Sequence, residues 1–313
     1  MDVLVRRDRH EQPVRIAGGR LPDFLIVGAM KSGTTTLYEH LRRDDRIFMA
    51  TPKEPMFFSR DNVFARGEAW YRGLFNGARH DQLCGESSTC YSRHLEYPNA
   101  ANRIAQHLPN AKFIYLMRHP VERAYAVYKY IVEGLWPQPP PTFDQAAAQY
   151  HSPILDSGMY IREIEHLLNR LSRERFLFLI LDDLHRDPAA VLRTVEEFLG
   201  LAPGMHAHAP AIKENQSGSV IARGKVERRL HSVRRLPVVS TLVDLVPRSL
   251  RRASYQFLAD RLTKRELSRR APAVLHEATP LSTDLRRNLL QEFEPSVVEL
   301  EEFLDRKLPA WHR

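Results

Sequence analysis

A short apolar run leads directly into a glycine-containing turn near the start of the chain. The run is Phe24-Leu-Ile-Val-Gly28, the turn continues as Ala-Met-Lys31-Ser32-Gly33, and Thr34-Thr35-Thr36 follows at the start of an amphipathic stretch. A strand that feeds a helix through such a turn presents backbone N–H groups and the positive end of the helix to a phosphate. The segment therefore predicts an α/β fold with a phosphate-binding loop.

The position of the lysine distinguishes this loop from the loop of nucleotide triphosphatases. In their pattern, G-x-x-x-x-G-K-[ST], lysine directly follows the second glycine, whereas here Thr34 holds that place and Lys31 comes before Gly33. Triphosphatases also use the loop Ser or Thr and a distant Asp to hold magnesium. A donor with a single bridging oxygen to its leaving phosphate needs no metal, since one lysine beside that oxygen stabilises the growing charge. We predict this role for Lys31; a solvated lysine in an ordinary glycine turn is the alternative.

Short apolar runs alternate with amphipathic stretches along the rest of the chain, which is typical of a parallel sheet with helices on both faces. Further strands are expected at Ile47–Met49, Leu83–Gly85, Lys112–Met117 and Phe176–Leu181. Helices are expected from about Thr34 to Arg43, His94 to His107, Pro120 to Val132, Gly158 to Leu171 with Ser157 as cap, Pro188 to Gly200, and over 282–304. Four prolines make 135–142 a loop. The prediction is a P-loop-like α/β fold in one domain over 21–313, after a polar lead-in at 1–20.

Composition restricts the partner and the compartment. The formal net charge of +8 and the pI near 9.6 favour an anionic partner, but charge alone does not distinguish a phosphate-bearing cofactor, an acidic glycan, nucleic acid or a membrane surface. Cys84 and Cys90 are too few for a disulfide framework, which favours a reducing cytoplasm. The first 20 residues hold no apolar stretch long enough for a signal peptide or membrane anchor. We therefore expect a cytoplasmic protein.

Several motifs resemble the family of sulfotransferases that use 3′-phosphoadenosine-5′-phosphosulfate (PAPS), particularly its bacterial branch related to heparan sulfate and other carbohydrate sulfotransferases. The resemblance covers most of the chain in order and spacing. Its motifs are the loop Lys31–Thr36, Lys53-Glu54-Pro55-Met56-Phe57-Phe58, Gly85-Glu86-Ser87-Ser88, the run from Tyr115 through Arg118 to Tyr125, Gly158-Met-Tyr160, Asn215-Gln-Ser217-Gly218, and Leu304–Leu308 before Trp311.

The resemblance implies PAPS as the sulfate donor and assigns residues to it. Residues Lys31, Ser32, Gly33, Thr34, Thr35 and Thr36 hold the 5′-phosphosulfate, and Arg118 grips the 3′-phosphate, a role that suits a guanidinium. Tyr160 and a late loop complete the predicted contacts, the loop through Asn215, Ser217, Gly218, Arg223 and Lys225. The family usually carries a serine eight residues after the arginine, where this chain has Ala126.

A base must take the proton of the acceptor hydroxyl as the sulfur is attacked. The resemblance favours Glu54, and Phe57 and Phe58 are expected to exclude water and raise its pKa. An ion pair of Glu54 with Lys53, or a charge at the start of a helix, is the alternative. Glu86 is the alternative base, since it follows another predicted strand. Enzymes of the heparan 3-O type usually carry a lysine after this glutamate, so Ser87 argues against a heparan-like polyanionic acceptor. The histidines lack nearby ligands at metal spacing, and we predict no metal site.

Two other functional classes stay open at this stage. A kinase or ATPase shares the strand, glycine loop and helix. A binding module would centre on 220–270, where 14 Lys and Arg stand against 4 Asp and Glu; this basic helical segment suits an anionic membrane surface, or is a core helix with solvated flanks. The preferred prediction is a PAPS-dependent sulfotransferase acting on a hydroxyl of a carbohydrate, glycolipid or secondary metabolite, without nucleic acid, and with peripheral membrane contact as a further hypothesis.

Overall fold

A parallel sheet of five strands forms the centre of the computed structural model, which describes residues 19–134, 140–204, 261–262 and 278–313. The strands lie in the order β2-β3-β1-β4-β5, and every neighbouring pair is parallel. Their bounds are Phe24–Gly28 for β1, Ile47–Met49 for β2, Leu83–Ser87 for β3, Lys112–Met117 for β4 and Phe176–Ile180 for β5. The predicted α/β fold class and all five predicted strands are confirmed.

Helices of very different length connect and cover the strands. In chain order, the described helices are α1 Thr34–Leu41, α2 Asp61–Phe64, α3 Glu68–Arg72, α4 Ala100–His107, α5 Pro120–Gly134, α6 Phe143–Gln149, α7 His151–Ile154, α8 Tyr160–Leu168, α9 Leu181–Arg186, α10 Pro188–Leu199 and α11 Thr283–Leu304. Short 3-10 turns lie between them, including Thr89–Tyr91 after β3 and Asp156–Gly158 before α8.

Both faces of the sheet are buried, and the central strands β1 and β4 are buried at every residue except Lys112. On one face Leu25, Val27 and Phe113 pack with side chains of α4, α5, α8 and α11. On the other face Phe24 and Ile26 pack with side chains of α1 and α10. The sheet is therefore the middle layer of three, and only its edges and strand ends are available for a ligand.

Local capping signals place several helix ends where they were predicted. Asp187 accepts a hydrogen bond from the Ala190 N–H at 2.9 Å ahead of Pro188, and Gly200 ends α10 in the left-handed region with φ 80°. Ser282 accepts from the Leu285 N–H at 3.2 Å at the start of α11. These ends were predictable because a cap satisfies N–H groups that a helix leaves without partners.

Other boundaries differ from the prediction because tertiary contacts override local spacing. The helix expected from His94 begins only at Ala100, and the His94 N–H instead donates to the Glu163 carboxylate at 3.1 Å. Ser157 lies in a 3-10 turn and does not cap α8. The short helices α2, α3, α6, α7 and α9 were not predicted.

Parts of the prediction fall outside the residues described. These are most of the loop 135–142, nearly all of the basic segment 220–270 and the lead-in 1–20 apart from its last two residues. The expected domain boundaries stay a prediction. Within the described ranges, no helix combines the length and the apolar character required to span a membrane.

Close packing between β1 and β3 gives a stability test. Gly85 lies opposite Phe24, and a Cβ at Gly85 would lie only 2.2 Å from the Phe24 ring. We expect Gly85→Ala to lower the free energy of unfolding by about 1–3 kcal/mol, because added volume in a packed core forces displacement. Denaturant titration measures this change.

Gly73→Ala is the matched control for this prediction. Gly73 has a helical φ of −58°, and the nearest atom to its added Cβ would lie 3.9 Å away. This variant should keep or slightly raise stability, since alanine reduces the freedom of the unfolded chain. Equal stability of the two variants would show that the contact of Gly85 with Phe24 is not tight.

Candidate active site

The strand order creates a crevice at the carboxyl end of β1. Strand β1 lies between β3 and β4. The connection after β1 runs through α1 on one face of the sheet, and the connection after β3 runs through α4 on the opposite face. In open parallel sheets, ligands bind outside the carboxyl ends of the strands where such connections diverge. The residues that follow β1, β3 and β4 therefore meet at one candidate site.

The phosphate loop lies at this crevice in a conformation suited to an anion. The Ala29 N–H donates to the Leu116 carbonyl at 2.8 Å and the Ser32 N–H to the Ala29 carbonyl at 3.3 Å, which fixes the turn on β4. Gly33 begins α1 with φ 87°, no side chain caps the helix, and its first turn holds no acidic residue. The first N–H groups of α1 are therefore available to donate to a ligand, and the positive potential at this end of the helix is not neutralised by a side chain of its first turn.

Lys31 extends from the loop toward α5. Its Nζ lies 4.7 Å from the centre of the Tyr130 ring, a cation–π contact. Its backbone has φ 65°, so the loop turns sharply at this residue. Lys31 is thus held between the start of α1 and the neighbouring helix that follows β4.

Arg118 occupies the junction between β4 and α5, with its backbone fixed by Tyr160. The Arg118 N–H donates to the Tyr160 hydroxyl at 3.2 Å, and that hydroxyl donates to the Arg118 carbonyl at 2.6 Å. Tyr160 is buried, and burial raises its pKa. Since the hydroxyl is engaged by the Arg118 backbone, we interpret Tyr160 as a positioning residue; the predicted cofactor contact through it stays a prediction.

Two arginines flank one carboxylate at this junction. Arg118 Nη2 lies 4.0 Å from Glu122 Oε2, and Arg286 of α11 forms an ion pair with Glu122 Oε1. The cluster therefore carries an excess positive charge beside the partly exposed guanidinium of Arg118. Sequence reasoning missed Arg286, because it lies 164 residues from Glu122 and no local motif marks it.

Ala126 lies on the same face of α5 as Glu122 and Tyr130, one helical turn from each. It is half-buried. This face runs from the Arg118 junction to the residue that contacts Lys31, so the position that lacks a serine hydroxyl does face the site. Arg286 adds a cation at the Arg118 end of this face.

The segment that contains Glu54 docks on the end of β3. The Glu54 N–H donates to the Ser87 carbonyl at 2.9 Å, and the Met56 N–H to Ser88 Oγ at 3.1 Å. The Glu54 carboxylate pairs with Lys53 Nζ at 2.8 Å and lies 3.4 Å from Thr89 Oγ1. Its side chain remains 31% exposed, so an acceptor can reach it.

The expected raised pKa of Glu54 is wrong. Burial acts to raise the pKa, but the charge of Lys53 and hydrogen bonds from Lys53 and Thr89 outweigh burial, and the pKa is lowered. Phe57 and Phe58 are buried; the Phe57 ring stacks on Tyr71 at 4.4 Å. The ion pair with the adjacent Lys53, which was the alternative expected from the sequence, keeps this carboxylate charged.

Glu86 has the environment that was expected for Glu54. It is fully buried in β3, and its Oε2 accepts from the Tyr71 hydroxyl at 2.8 Å. Burial raises its pKa to about 7. Glu86 therefore has the pKa of a base near neutrality but no surface at which to meet an acceptor, while Glu54 has the access. The choice of base stays a prediction, and access favours Glu54.

The remaining predicted contacts have different outcomes. Ser32 and Thr34 are buried in the loop. Asn215, Ser217, Gly218, Arg223 and Lys225 lie outside the described residues and stay predictions. Cys84 and Cys90 are buried free thiols. Within the described ranges no three His, Cys, Asp or Glu side chains form a group that could hold a metal; independence of metal stays a prediction.

Glu86 makes the stability of the protein depend on pH. Its pKa is about 7 in the folded chain against an ordinary value of 4.5. Between these values the folded state binds the additional proton, so the free energy of unfolding falls as pH rises through the window, by up to about 3 kcal/mol. Urea titrations between pH 5 and 8 should show a clearly smaller fall in Glu86→Gln; what remains comes from groups such as Glu163, whose pKa is also raised by burial.

Glu54→Gln provides the control for the pH measurement. The pKa of Glu54 is lowered, so its contribution is present above its ordinary pKa and is lost only at lower pH. This variant should keep most of the wild-type fall between pH 5 and 8, because the charge of Glu54 is only the smallest cause of the raised pKa of Glu86. Parallel curves for wild type and Glu86→Gln would contradict the assignment of a raised pKa to Glu86.

Comparison with known proteins agrees with this geometry. The family model for the sulfotransferase domain matches residues 21–216. Human heparan sulfate glucosamine 3-O-sulfotransferase 6 is 33% identical over 192 residues, which cover 58% of this chain and 53% of the relative. The mouse 3-O-sulfotransferase 3A1 is 30% identical over 256 residues, covering 76% and 63% of the two chains. The chain spans about half the length of the human relative.

The solved structures agree at the level of the fold. A sulfotransferase from Alicyclobacillus acidocaldarius superposes with a TM-score of 0.62 and 23% identity, over 94% of this chain and 100% of that chain. At this identity the likeness concerns the fold alone. Because the family model covers more than half of the chain, the protein belongs to the sulfotransferase-domain family.

Proposed function

We propose that the protein transfers a sulfuryl group from PAPS to a hydroxyl of a carbohydrate, glycolipid or secondary-metabolite acceptor. The observation that carries the proposal is the pairing of an uncapped helix N-terminus, preceded by Lys31, with Arg118 at the end of the adjacent strand. One nucleotide with phosphates at both its 5′ and 3′ positions would engage both groups. An ordinary adenine nucleotide would leave Arg118 without a phosphate.

The residues at the site fit this donor. The N–H groups at the start of α1 and the Lys31 ammonium would hold the 5′-phosphosulfate, and Arg118 the 3′-phosphate. Ser87 Oγ, fully buried at the end of β3, has no hydrogen-bond partner among the described residues, so the same edge of the sheet offers a further donor. When bound, PAPS supplies an electrophilic sulfur with a phosphate as leaving group.

In the proposed reaction each protein group acts on one part of a displacement. The acceptor oxygen forms a bond to sulfur as the bond from sulfur to the bridging phosphate oxygen breaks. Lys31 stabilises the charge that develops on the departing phosphate. Glu54 accepts the acceptor proton. Its lowered pKa keeps it ionised at neutral pH, and a sulfuryl group nearby would raise that pKa and strengthen the base.

The acceptor class rests on two considerations. The names of the related vertebrate enzymes specify a sugar hydroxyl as acceptor, which supports a carbohydrate for this chain. Ser87, by contrast, supplies no positive charge beside Glu86, which favours an acceptor with less negative charge than heparan sulfate. Contact with a membrane surface and the cytoplasmic location stay predictions.

Nucleotide selectivity tests the donor. We expect 3′-phosphoadenosine-5′-phosphate, without magnesium, to raise the melting temperature of the full chain. Saturation at 100 times the dissociation constant stabilises a protein by roughly 2.7 kcal/mol. AMP should give a much smaller shift, and Arg118→Ala should remove the difference between the two nucleotides. Equal shifts with AMP, or a shift only with ATP and magnesium, would overturn PAPS and favour a kinase or ATPase.

Substitutions of the two carboxylates and the lysine test the assigned roles. Glu54→Gln should keep nucleotide affinity and lower turnover by roughly 10²- to 10⁴-fold, the usual effect of losing a general base. Lys31→Ala should impair both, because the lysine contacts the nucleotide in the ground state and in the transition state. Single-turnover transfer from sulfur-35 PAPS into an extract of source cells measures the rate.

Glu86→Gln serves as the matched control for the base. It removes a carboxylate of the same type from a position without access to the acceptor, so transfer should stay near the wild-type rate once folding is verified. If Glu86→Gln is inactive while Glu54→Gln transfers sulfate normally, the base is Glu86. That result would leave the donor assignment intact.

A further inference from the structure

The segment from Ser88 to Arg93 runs beside the end of β1 and the start of the phosphate loop. The Ser88 N–H donates to the Ile26 carbonyl at 3.1 Å. Ser92 lies so close to Gly28 that a Cβ on that glycine would be 2.7 Å from Ser92 Oγ. Arg93 Nη1 then lies 3.5 Å from Met30 Sδ, one residue before Lys31. The segment thus contacts the end of β1 and the loop at three successive points.

The same segment also contacts the proposed base. Thr89 Oγ1 lies 3.4 Å from Glu54 Oε1, and Ser88 Oγ accepts from the N–H of Met56. The charge of Arg93 contributes to the lowered pKa of Glu54. Arg93 therefore lies close enough to Glu54 to affect its charge, and it contacts Met30, the residue before Lys31. The guanidinium of Arg93 thus lies beside the space between Lys31 and Glu54.

The guanidinium of Arg93 is fixed on one side and has unused donors on the other. Its Nε donates to Glu96 Oε1 at 3.0 Å, and its Nη2 pairs with Glu96 Oε2. Glu96 is itself held by Ser152 Oγ at 3.1 Å. Among the described residues, Nη1 meets only the Met30 thioether, which is a weak acceptor.

The burial of Arg93 indicates that its remaining N–H groups need an acceptor. The Arg93 side chain is only 13% exposed, and a nearly buried cation normally has its N–H groups satisfied by strong acceptors. One carboxylate neutralises Arg93 but occupies two of the five N–H groups of a guanidinium. Nη1 is directed toward Met30 in the phosphate loop, where an anionic group would be a stronger acceptor than the thioether.

We propose that Arg93 is a sulfuryl-binding residue, whose Nη1 donates to the non-bridging oxygens of the sulfuryl group between Lys31 and Glu54. The inference rests on the proposed function and adds a second cation to that site. Lys31 serves the leaving phosphate, whereas Arg93 serves the group being transferred. Its rigid fork, held by Glu96, orients those oxygens before the acceptor attacks.

The difference in affinity between PAPS and 3′-phosphoadenosine-5′-phosphate isolates this contact, because the two nucleotides differ by the sulfuryl group. Calorimetric titration of the full chain without acceptor gives both dissociation constants. Arg93→Gln should weaken PAPS binding about tenfold, the size expected for one charged hydrogen bond, and change binding of the second nucleotide less than about twofold. Arg93→Lys keeps the charge but loses the fork, and should recover part of the loss.

Arg103→Gln is the matched control. Arg103 has a similarly buried side chain, 15% exposed, that pairs with Asp61. It donates to the Phe58 carbonyl at 3.3 Å and lies 4.2 Å from the Phe64 ring, but it contacts no described residue of the phosphate loop. Its substitution should leave both dissociation constants unchanged. Circular dichroism and melting curves show whether each variant folds, and Arg93→Lys carries the test if Arg93→Gln does not fold.

Three results would overturn the proposal. Equal weakening of both nucleotides by the Arg93 variants would show that Arg93 only supports the loop. Unchanged affinity for both would show that no contact exists. If the wild-type chain binds neither nucleotide, the proposed function itself fails, and the inference fails with it; this outcome is recognisable before any variant is made.

Discussion

The site depends on how closely three strand ends approach at β1. Gly28 allows this approach, since any side chain there would meet Tyr115 at 2.6 Å and Ser92 at 2.7 Å. The contact brings the residues after β3 and β4 against the phosphate loop. Because these strands are buried on both faces, their three ends are held at fixed spacing. The phosphate loop, the junction at Arg118 and the segment that contains Glu54 therefore line one crevice.

The two candidate bases, Glu54 and Glu86, differ in charge because their surroundings differ. Glu54 lies in a loop beside Lys53 and stays ionised, whereas Glu86 lies inside the sheet among tyrosines and is partly protonated near neutrality. A base must be both deprotonated and accessible. Glu54 meets both requirements at the expense of basicity, and Glu86 meets neither in full. The tyrosine-lined environment makes Glu86 a determinant of packing and of pH-dependent stability.

The sequence predicted the parts of the molecule that depend on local order. All five strands, the glycine turn before α1 and the helix starts at Pro188 and near Ser282 follow from apolar runs and from residues that begin helices. What it did not predict depends on contacts between distant segments. Arg286 reaching Glu122 and the late start of the helix that was expected from His94 both depend on the folded geometry.

The junction between β4 and α5 shows how contacts from distant segments fix a candidate site residue, Arg118. Tyr160 holds the backbone of Arg118 through its hydroxyl, and the ring of Trp311 lies 5.9 Å from that of Tyr160. Arg286 forms an ion pair with Glu122, whose carboxylate lies 4.0 Å from the Arg118 guanidinium. Segments near the carboxyl end of the chain thus contribute to the surroundings of Arg118. In the proposed function, support of this kind would reduce the freedom that Arg118 loses on binding a phosphate, at the position where Ala126 lacks a hydroxyl.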